Sequence, residues 1–259
     1  MSVTDYSITS ARRYIDFVLS RGKELKLPIM PRHCVISYVP DVLEQMKKLH
    51  AHRSMRLGLT NPMQLFFFTP DEGQAFAMAR GMHGAPMAAV QLEELIALGC
   101  EDFLVIGPAG HPTAKGEPDL QLGDLLLATC AWIFEGTSPH YGKDDHSSPA
   151  SLSVERLRSA LENLGIHFHQ GAVATTDALY RETGEFIKGL VAKEILAVEM
   201  EMSALCTVSG CRGKNLAGLL FISDLVCSDG RWDIAPSLKV YRNVVRQFID
   251  VVHGYVRQQ

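Results

Sequence analysis

No run of apolar residues in this chain approaches the roughly 18 that a membrane-spanning helix needs, and Met1 to Ser10 is polar where a secretion signal would be apolar. Positive charge is not in excess either. Lys and Arg number 25 against 29 Asp and Glu, for a net charge of −4 without a basic cluster, so nucleic acid is not the expected partner. Cysteine is sparse and scattered: Cys34, Cys100, Cys130, Cys206, Cys211 and Cys227 form no Cys-x-x-Cys, and several sit inside apolar runs as buried thiols would. Histidine is plentiful, yet His50 with His52 and His167 with His169 lack the further ligands that zinc requires. These absences leave a cytoplasmic protein that acts on a small molecule, with no metal and no cofactor.

What is present is enough apolar residue for one full core. With 259 residues and 47% hydrophobic content, a single large α/β domain is expected. Residues 1–31 read as an N-terminal helical arm, with helical spacing over Ile8 to Arg21 and a basic linker ending in two prolines. The main domain then occupies 32–259. Its buried strands are expected at Cys34–Val39, Phe103–Ile106, Asp124–Phe134, His167–Ala174, Ile195–Val198 and Leu216–Ile222. A hairpin is expected from Leu65–Thr69 and Gln74–Met82. Helices are expected at Asp41–His50, at Ala88–Leu98 with Gly99 as its stop, and at Ser151–Leu164 with a serine cap. Three more are expected at Glu185–Lys193, Met202–Ser209 and Pro236–Arg257, and Arg53 and Arg56 fall in a loop.

The chemistry is concentrated where the apolar run Ile195–Val198 ends in Glu199-Met200-Glu201 and a small-residue helix begins. In open α/β sheets such a strand-to-helix junction lines the ligand crevice. Two acids one residue apart in low dielectric repel each other unless donors reach them. A vicinal diol of a sugar is one such donor, with the methionine lying against the apolar edge of the ring. The alternative is a helix start whose acids simply suit the dipole. Spacing alone leaves both open.

The segment Val-Glu-Met-Glu-Met-Ser-Ala-Leu, from Val198, resembles the signature of the nucleoside phosphorylase superfamily, which includes uridine phosphorylase, hexameric purine nucleoside phosphorylase and methylthioadenosine nucleosidase. Gly81–Gly99, Gly123–Tyr141 and Phe221–Asp224 fall where that family places its other motifs. The resemblance implies a three-layer α/β/α domain around a central mixed, twisted sheet. It implies a ribose held by Glu201 with Met200 against the sugar, Val198 and Glu199 supporting them, and Asp224 after Ser223 protonating a departing purine. An aspartate at a strand end, shielded by Phe221, would hold its proton near neutrality; a helix or turn cap is the plainer role. Glu135 to Gly142 is similar to a pocket loop of uridine phosphorylases, which brings in Thr137, Ser138 and His140, although the same residues make an ordinary turn. Leu179 stands at the base-stacking position, and Ala109 and Gly110 lie in the turn that lines the site.

The chain departs from the family where phosphate would bind. Tyr38-Val39-Pro40-Asp41-Val42 replaces a Gly-Asp-Pro turn followed by arginine, and Val105 and Pro108 replace an arginine and a hydroxyl residue. Two lost charge-assisted contacts at roughly 1.5 to 3 kcal/mol each weaken phosphate capture by about 10² to 10⁴. Arg53 or Arg56 reaching in from a partner subunit is one remedy, and both being solvated surface residues is the other reading. Thr183 and Glu185 stand where uridine phosphorylases carry Gln and Arg against the uracil edge, so a purine-type base is favoured. Three functions follow: a phosphorylase using inorganic phosphate as co-substrate, a hydrolase with water activated by Asp41 or Glu44, or a nucleoside-binding protein without chemistry. The resemblance also implies a homo-oligomer, dimer or hexamer.

Overall fold

The computed structural model describes residues 8–21, 29–57, 63–70, 74–114, 118–142 and 144–257. Strands are β1 (His33–Ser37), β2 (His52–Leu57), β3 (Met63–Phe68), β4 (Phe76–Arg80), β5 (Asp102–Thr113), β6 (Leu125–Phe134), β7 (His146–Ser147), β8 (His169–Thr176), β9 (Ile195–Glu199), β10 (Asn215–Cys227) and β11 (Trp232–Ile234). Helices are α1 (Ala11–Arg21), α2 (Pro40–Leu49), α3 (Ala85–Leu98), α4 (Ser151–Asn163), α5 (Gly184–Ala192), α6 (Met202–Cys211) and α7 (Leu238–Arg257).

All of these strands join one mixed sheet in the order β11-β10-β6-β8-β9-β5-β1-β4-β3-β2, with β7 beside β6. Helices cover both faces, as expected. One face buries Ile15 of α1, Leu92 and Leu95 of α3, and Leu205 and Val208 of α6 against strand residues such as Ile36 and Val105. The opposite face buries Val42 and Met46 of α2, Leu157 of α4, and Val244, Phe248 and Val252 of α7 against Val35, Leu104 and Phe221. The strands supply both cores because their residues point alternately to the two sides.

Two strands run well beyond the apolar stretches that suggested them. β5 continues through Gly107-Pro108-Ala109-Gly110, expected as a turn, and β10 continues through Ser223-Asp224 to Cys227. The cause is their parallel pairing with each other, from Asn215 opposite Asp102 to Cys227 opposite Thr113. β10 also pairs with β6, and β5 with β9 at Gly110 opposite Val198, so β5, β10, β6, β8 and β9 close into a ring. Pro108 is tolerated because β1 has already ended, with Ser37 opposite Ile106.

Smaller differences have local causes. Arg53 and Arg56 lie on edge strand β2, paired with the Phe-rich β3, rather than in a loop. A strand with exposed charged residues on a sheet edge carries little apolar signal. α4 begins at Ser151 itself, with Ala150 at the cap position and no side-chain cap bond. His146 and Ser147, inside the polar stretch 143–149, pair with β6. The hairpin turn at 71–73 lies outside the described residues. Helix α3 ends as its sequence implies, on Gly99 at φ 118°.

Candidate functional site

Strand β9 ends at Glu199 and α6 starts at Met202, so the two acids occupy the bend between a buried strand and a buried helix. Their roles divide. The Glu199 carboxylate accepts the backbone N–H groups of Glu201 and Met202, both at 2.7 Å, and the Thr175 hydroxyl. Thr175 accepts in turn from the Ser203 N–H at 2.8 Å. Glu199 is thereby consumed in tying the first turn of α6 to β8, the plainer of the two roles the spacing left open. Donors from the protein itself, not a sugar, satisfy it.

Glu201 faces the other way. One of its oxygens accepts the Gly84 N–H at 2.6 Å, and the His83 imidazole stands 3.9 Å away. Gly84 is at φ 84°, a backbone state that glycine adopts without penalty, and this aims its N–H at the carboxylate at the start of α3. Burial pushes both carboxyls above the usual range, and the charge of Glu201 raises Glu199 further; the hydrogen bonds just described oppose the shift. Met200 is half-buried between them.

Asp224 is positioned by an irregularity. The β10 register slips between Ile222 and Asp224, leaving Ser223 as the extra residue. Such a bulge re-aims the side chain that follows it. Asp224 comes opposite Gly110, where a β-carbon would lie 3.1 Å from its Oδ2 and 3.4 Å from Val198 Cγ1. The Ser223 hydroxyl donates to Oδ1 at 2.6 Å and the Trp232 indole N–H to Oδ2 at 2.7 Å. Shielding therefore comes from Trp232, whereas Phe221 packs on the opposite face against Tyr241 and Phe248. Gly110 separates Asp224 from Val198, so the Glu201 elbow and Asp224 flank one strand. Two strand spacings put the backbones of Val198 and Asp224 about 10 Å apart.

A cleft of about 230 Å³ opens beside Asp224, lined by Leu179, Tyr180, Glu182, Gly184, Val226, Cys227, Gly230, Arg231 and Trp232. Leu179 is thus on a concave surface. Thr183 instead accepts the Phe186 N–H as the cap of α5, and Glu185 is exposed in the first turn of that helix. Residues 135–141 lie against α6: Glu135 accepts from the Thr137 and Ser138 backbone and, at 3.0 Å, from the Ser203 hydroxyl. Ser138 is buried and its hydroxyl finds no partner among the described residues, Thr137 is half-buried and His140 exposed. Ala109 is buried in β5.

The first strand-to-helix turn is filled. The Tyr38 ring packs so closely on Gly81 that a β-carbon there would come within 2.5 Å of it, and it also touches Gly107. Its hydroxyl donates to the Met82 carbonyl at 3.3 Å, and burial together with Glu201 and Glu199 pushes its pKa upward. Val42 is fully buried in the other core. Asp41 accepts from Tyr241 of α7 at 2.7 Å and Glu44 pairs with Lys47, so neither acid turns toward the elbow to activate water. Arg53 and Arg56 are exposed on β2, several strands from β9. Among the described residues no group of three or more His, Cys, Asp or Glu is placed to hold a metal.

Comparison with known proteins decides the family. A model of the phosphorylase superfamily matches residues 32–257. The chain belongs to that superfamily. Its relatives include a uridine phosphorylase of Thermococcus kodakarensis, 32% identical over 144 residues, covering 50% of each chain. A guanosine phosphorylase of Halorubrum lacusprofundi is 32% identical over 142 residues, 49% of this chain and 57% of the relative. A DeoD-type purine nucleoside phosphorylase of Bacillus cereus is 28% identical over 145 residues, 54% and 60% of the two chains. In these alignments the chain spans about half the length of the curated relatives it matches. Motif reasoning gave no role to Tyr38, Gly84, Glu135 or Thr175. Only tertiary contact gives them a role, apart from Gly84, whose place in a glycine-rich turn before a helix was a signal.

Proposed function

We propose that this chain is a nucleoside phosphorylase that cleaves the N-glycosidic bond of a purine-type nucleoside, with inorganic phosphate as co-substrate. The observation that carries the reading is the pair of faces around Gly110: a carboxylate suited to a sugar diol on one side and Asp224 beside a cleft on the other. Glu201 accepts the 2′ and 3′ hydroxyls, with Met200 along the sugar and Glu199 fixing the elbow. As the bond to the base breaks and positive charge develops on the ribose, Asp224 supplies the proton that lets the base leave as a neutral species. The nucleophile bonds to C1′ and the electron pair of the broken bond stays with the base. A purine is favoured over uracil because Thr183 and Glu185 serve helix α5 rather than the cleft. The relatives' names include both purine and uridine phosphorylases, which keeps uridine in the test.

Tyr38 supports a second reading, cleavage without phosphate. Its ring occupies the first strand-to-helix turn, where an anion would meet backbone N–H groups, and the nearby carboxylates of Glu199 and Glu201 repel a dianion. On the first reading Arg53 or Arg56 of a second copy supplies the missing charge, in a homo-oligomer. Inosine, adenosine, guanosine and uridine incubated with and without phosphate separate the readings. Phosphate-dependent release of a purine and ribose 1-phosphate is expected. Free ribose formed equally in both conditions replaces the first reading by the second, and binding without turnover removes both.

A further inference from the structure

Glu182 has no place in the roles above, yet it lines the same cleft as Trp232, the residue that holds Asp224. Its position is fixed from both sides. The short 3₁₀ turn Leu179–Arg181 precedes it and the α5 cap Thr183 follows it. The next residue, Gly184, lies so close to the Ser228 carbonyl that a β-carbon would approach it to 2.5 Å. Glu182 is half-buried, and its carboxyl has no hydrogen-bond or ion-pair partner among the described residues. The cationic group lining the cleft, Arg231, is engaged by Asp229 at 3.1 Å and by the Cys227 sulfur. The other ionisable groups around it are Tyr180 and Asp224.

We propose that Glu182 is a second acid of the base subsite, paired with Asp224 so that the two carboxyls together pass one proton to the departing purine. Both oxygens of Asp224 already accept hydrogen bonds, from the Ser223 hydroxyl and the Trp232 indole. Glu182 carries no such bonds. Burial, and then the Asp224 charge, raise its pKa to about 7, which suits a proton donor working near neutrality. The step balances simply. The C1′–N9 bond breaks with its electrons going to the base, N7 gains the proton of the pair, and Glu182 is left as a carboxylate until solvent at the cleft mouth reprotonates it.

This rests on the nucleoside-cleaving reading, so the test separates the two. Wild type and Glu182→Gln are compared on a purine nucleoside and on its N7-methylated form, whose base already carries positive charge and departs without a proton. The variant is expected to slow the unmodified substrate by about 10², to slow the methylated one far less, and to lose the alkaline fall of kcat/KM near pH 7. Equal slowing of both substrates, or an unchanged pH profile, overturns the proposal. Cleavage of neither substrate by wild type would mean that the nucleoside reading had failed. Carboxyl NMR of Glu182 then reads the pair directly. A midpoint near 7 that falls in Asp224→Asn supports the pairing, and a midpoint near the ordinary value of about 4.3, indifferent to residue 224, overturns it.

Discussion

Gly110 and Asp224 stand opposite each other across the β5–β10 pairing with little room between them: a β-carbon at 110 would lie 3.1 Å from Asp224 Oδ2, so the carboxyl would have to give by a few tenths of an ångström. The same β-carbon would touch Val198 at 3.4 Å, so this one glycine lets the acid, the strand and the sugar elbow close up. Gly110→Ala is expected to lower kcat at least tenfold by displacing Asp224, with a stability cost of about 1 to 3 kcal/mol from overpacking. Gly110→Val is expected to be worse in both. Steady-state kinetics beside thermal melts check this, and full activity in Gly110→Val would separate Asp224 from the reaction.

Asp224→Ala is expected to reduce turnover by about 10² to 10⁴, the usual worth of general-acid assistance. On the proposed reading the ribose contacts lie across β5 and remain, so nucleoside affinity measured by calorimetry is expected to change only a few-fold. Loss of affinity with normal turnover of the bound fraction would assign Asp224 to binding instead.

On the proposed reading, Glu201 accepts the sugar hydroxyls as an ionised group. Two such bonds at roughly 1.5 to 3 kcal/mol each make Glu201→Ala lose about 10² to 10⁴ in kcat/KM, and a 2′,3′-dideoxynucleoside is expected to be nearly indifferent to the change. Burial raises the Glu201 pKa to about 7, so nucleoside affinity is expected to weaken as pH falls through 7. The sign for stability is opposite. A carboxyl with a raised folded-state pKa takes up more protons folded than unfolded, and the ligand-free protein is expected to lose stability as pH rises from about 4.5 toward 7. A melting temperature that rises across that window would contradict the buried placement of the pair.

Tyr38→Gly is expected to reopen the space between Gly81 and Gly107. Removing a buried aromatic costs about 3 to 5 kcal/mol, so the variant is assayed well below its melting point. If phosphate is the nucleophile, its KM is expected to fall as the anion gains room and backbone donors. An unchanged phosphate KM would place the co-substrate elsewhere.

At the opposite end of the sheet, Asp102 is 1% exposed and accepts from Arg32 at 2.7 Å, Asn215 at 2.7 Å and Arg156 at 3.4 Å. Asp102→Ala strands these donors and is expected to cost about 3 to 5 kcal/mol. Activity per folded molecule is expected to persist, since the change lies at the far ends of β1, β5 and β10. A melt and an active-site titration give both quantities.

Much of this was written locally. The apolar run into Glu199-Met200-Glu201 marked the end of a buried strand, the small residues after it marked α6, and Gly99 marked the end of α3, because backbone sterics and side-chain periodicity act within a few residues. The same stretch placed Glu199 and Glu201 at the bend between strand and helix. Their division of labour was not readable there, since it depends on Thr175 and Gly84, 24 and 117 residues away in sequence. Long-range pairing alone carried β5 through Pro108 and β10 through the Ser223 bulge, and so set Asp224 against Gly110. Tyr38 in the first strand-to-helix turn and Glu182 in the cleft with Trp232 were likewise decided only by packing. Local sequence fixes what a segment can become, but a carboxyl's partners, its desolvation and hence its proton are properties of whatever the folded chain brings next to it.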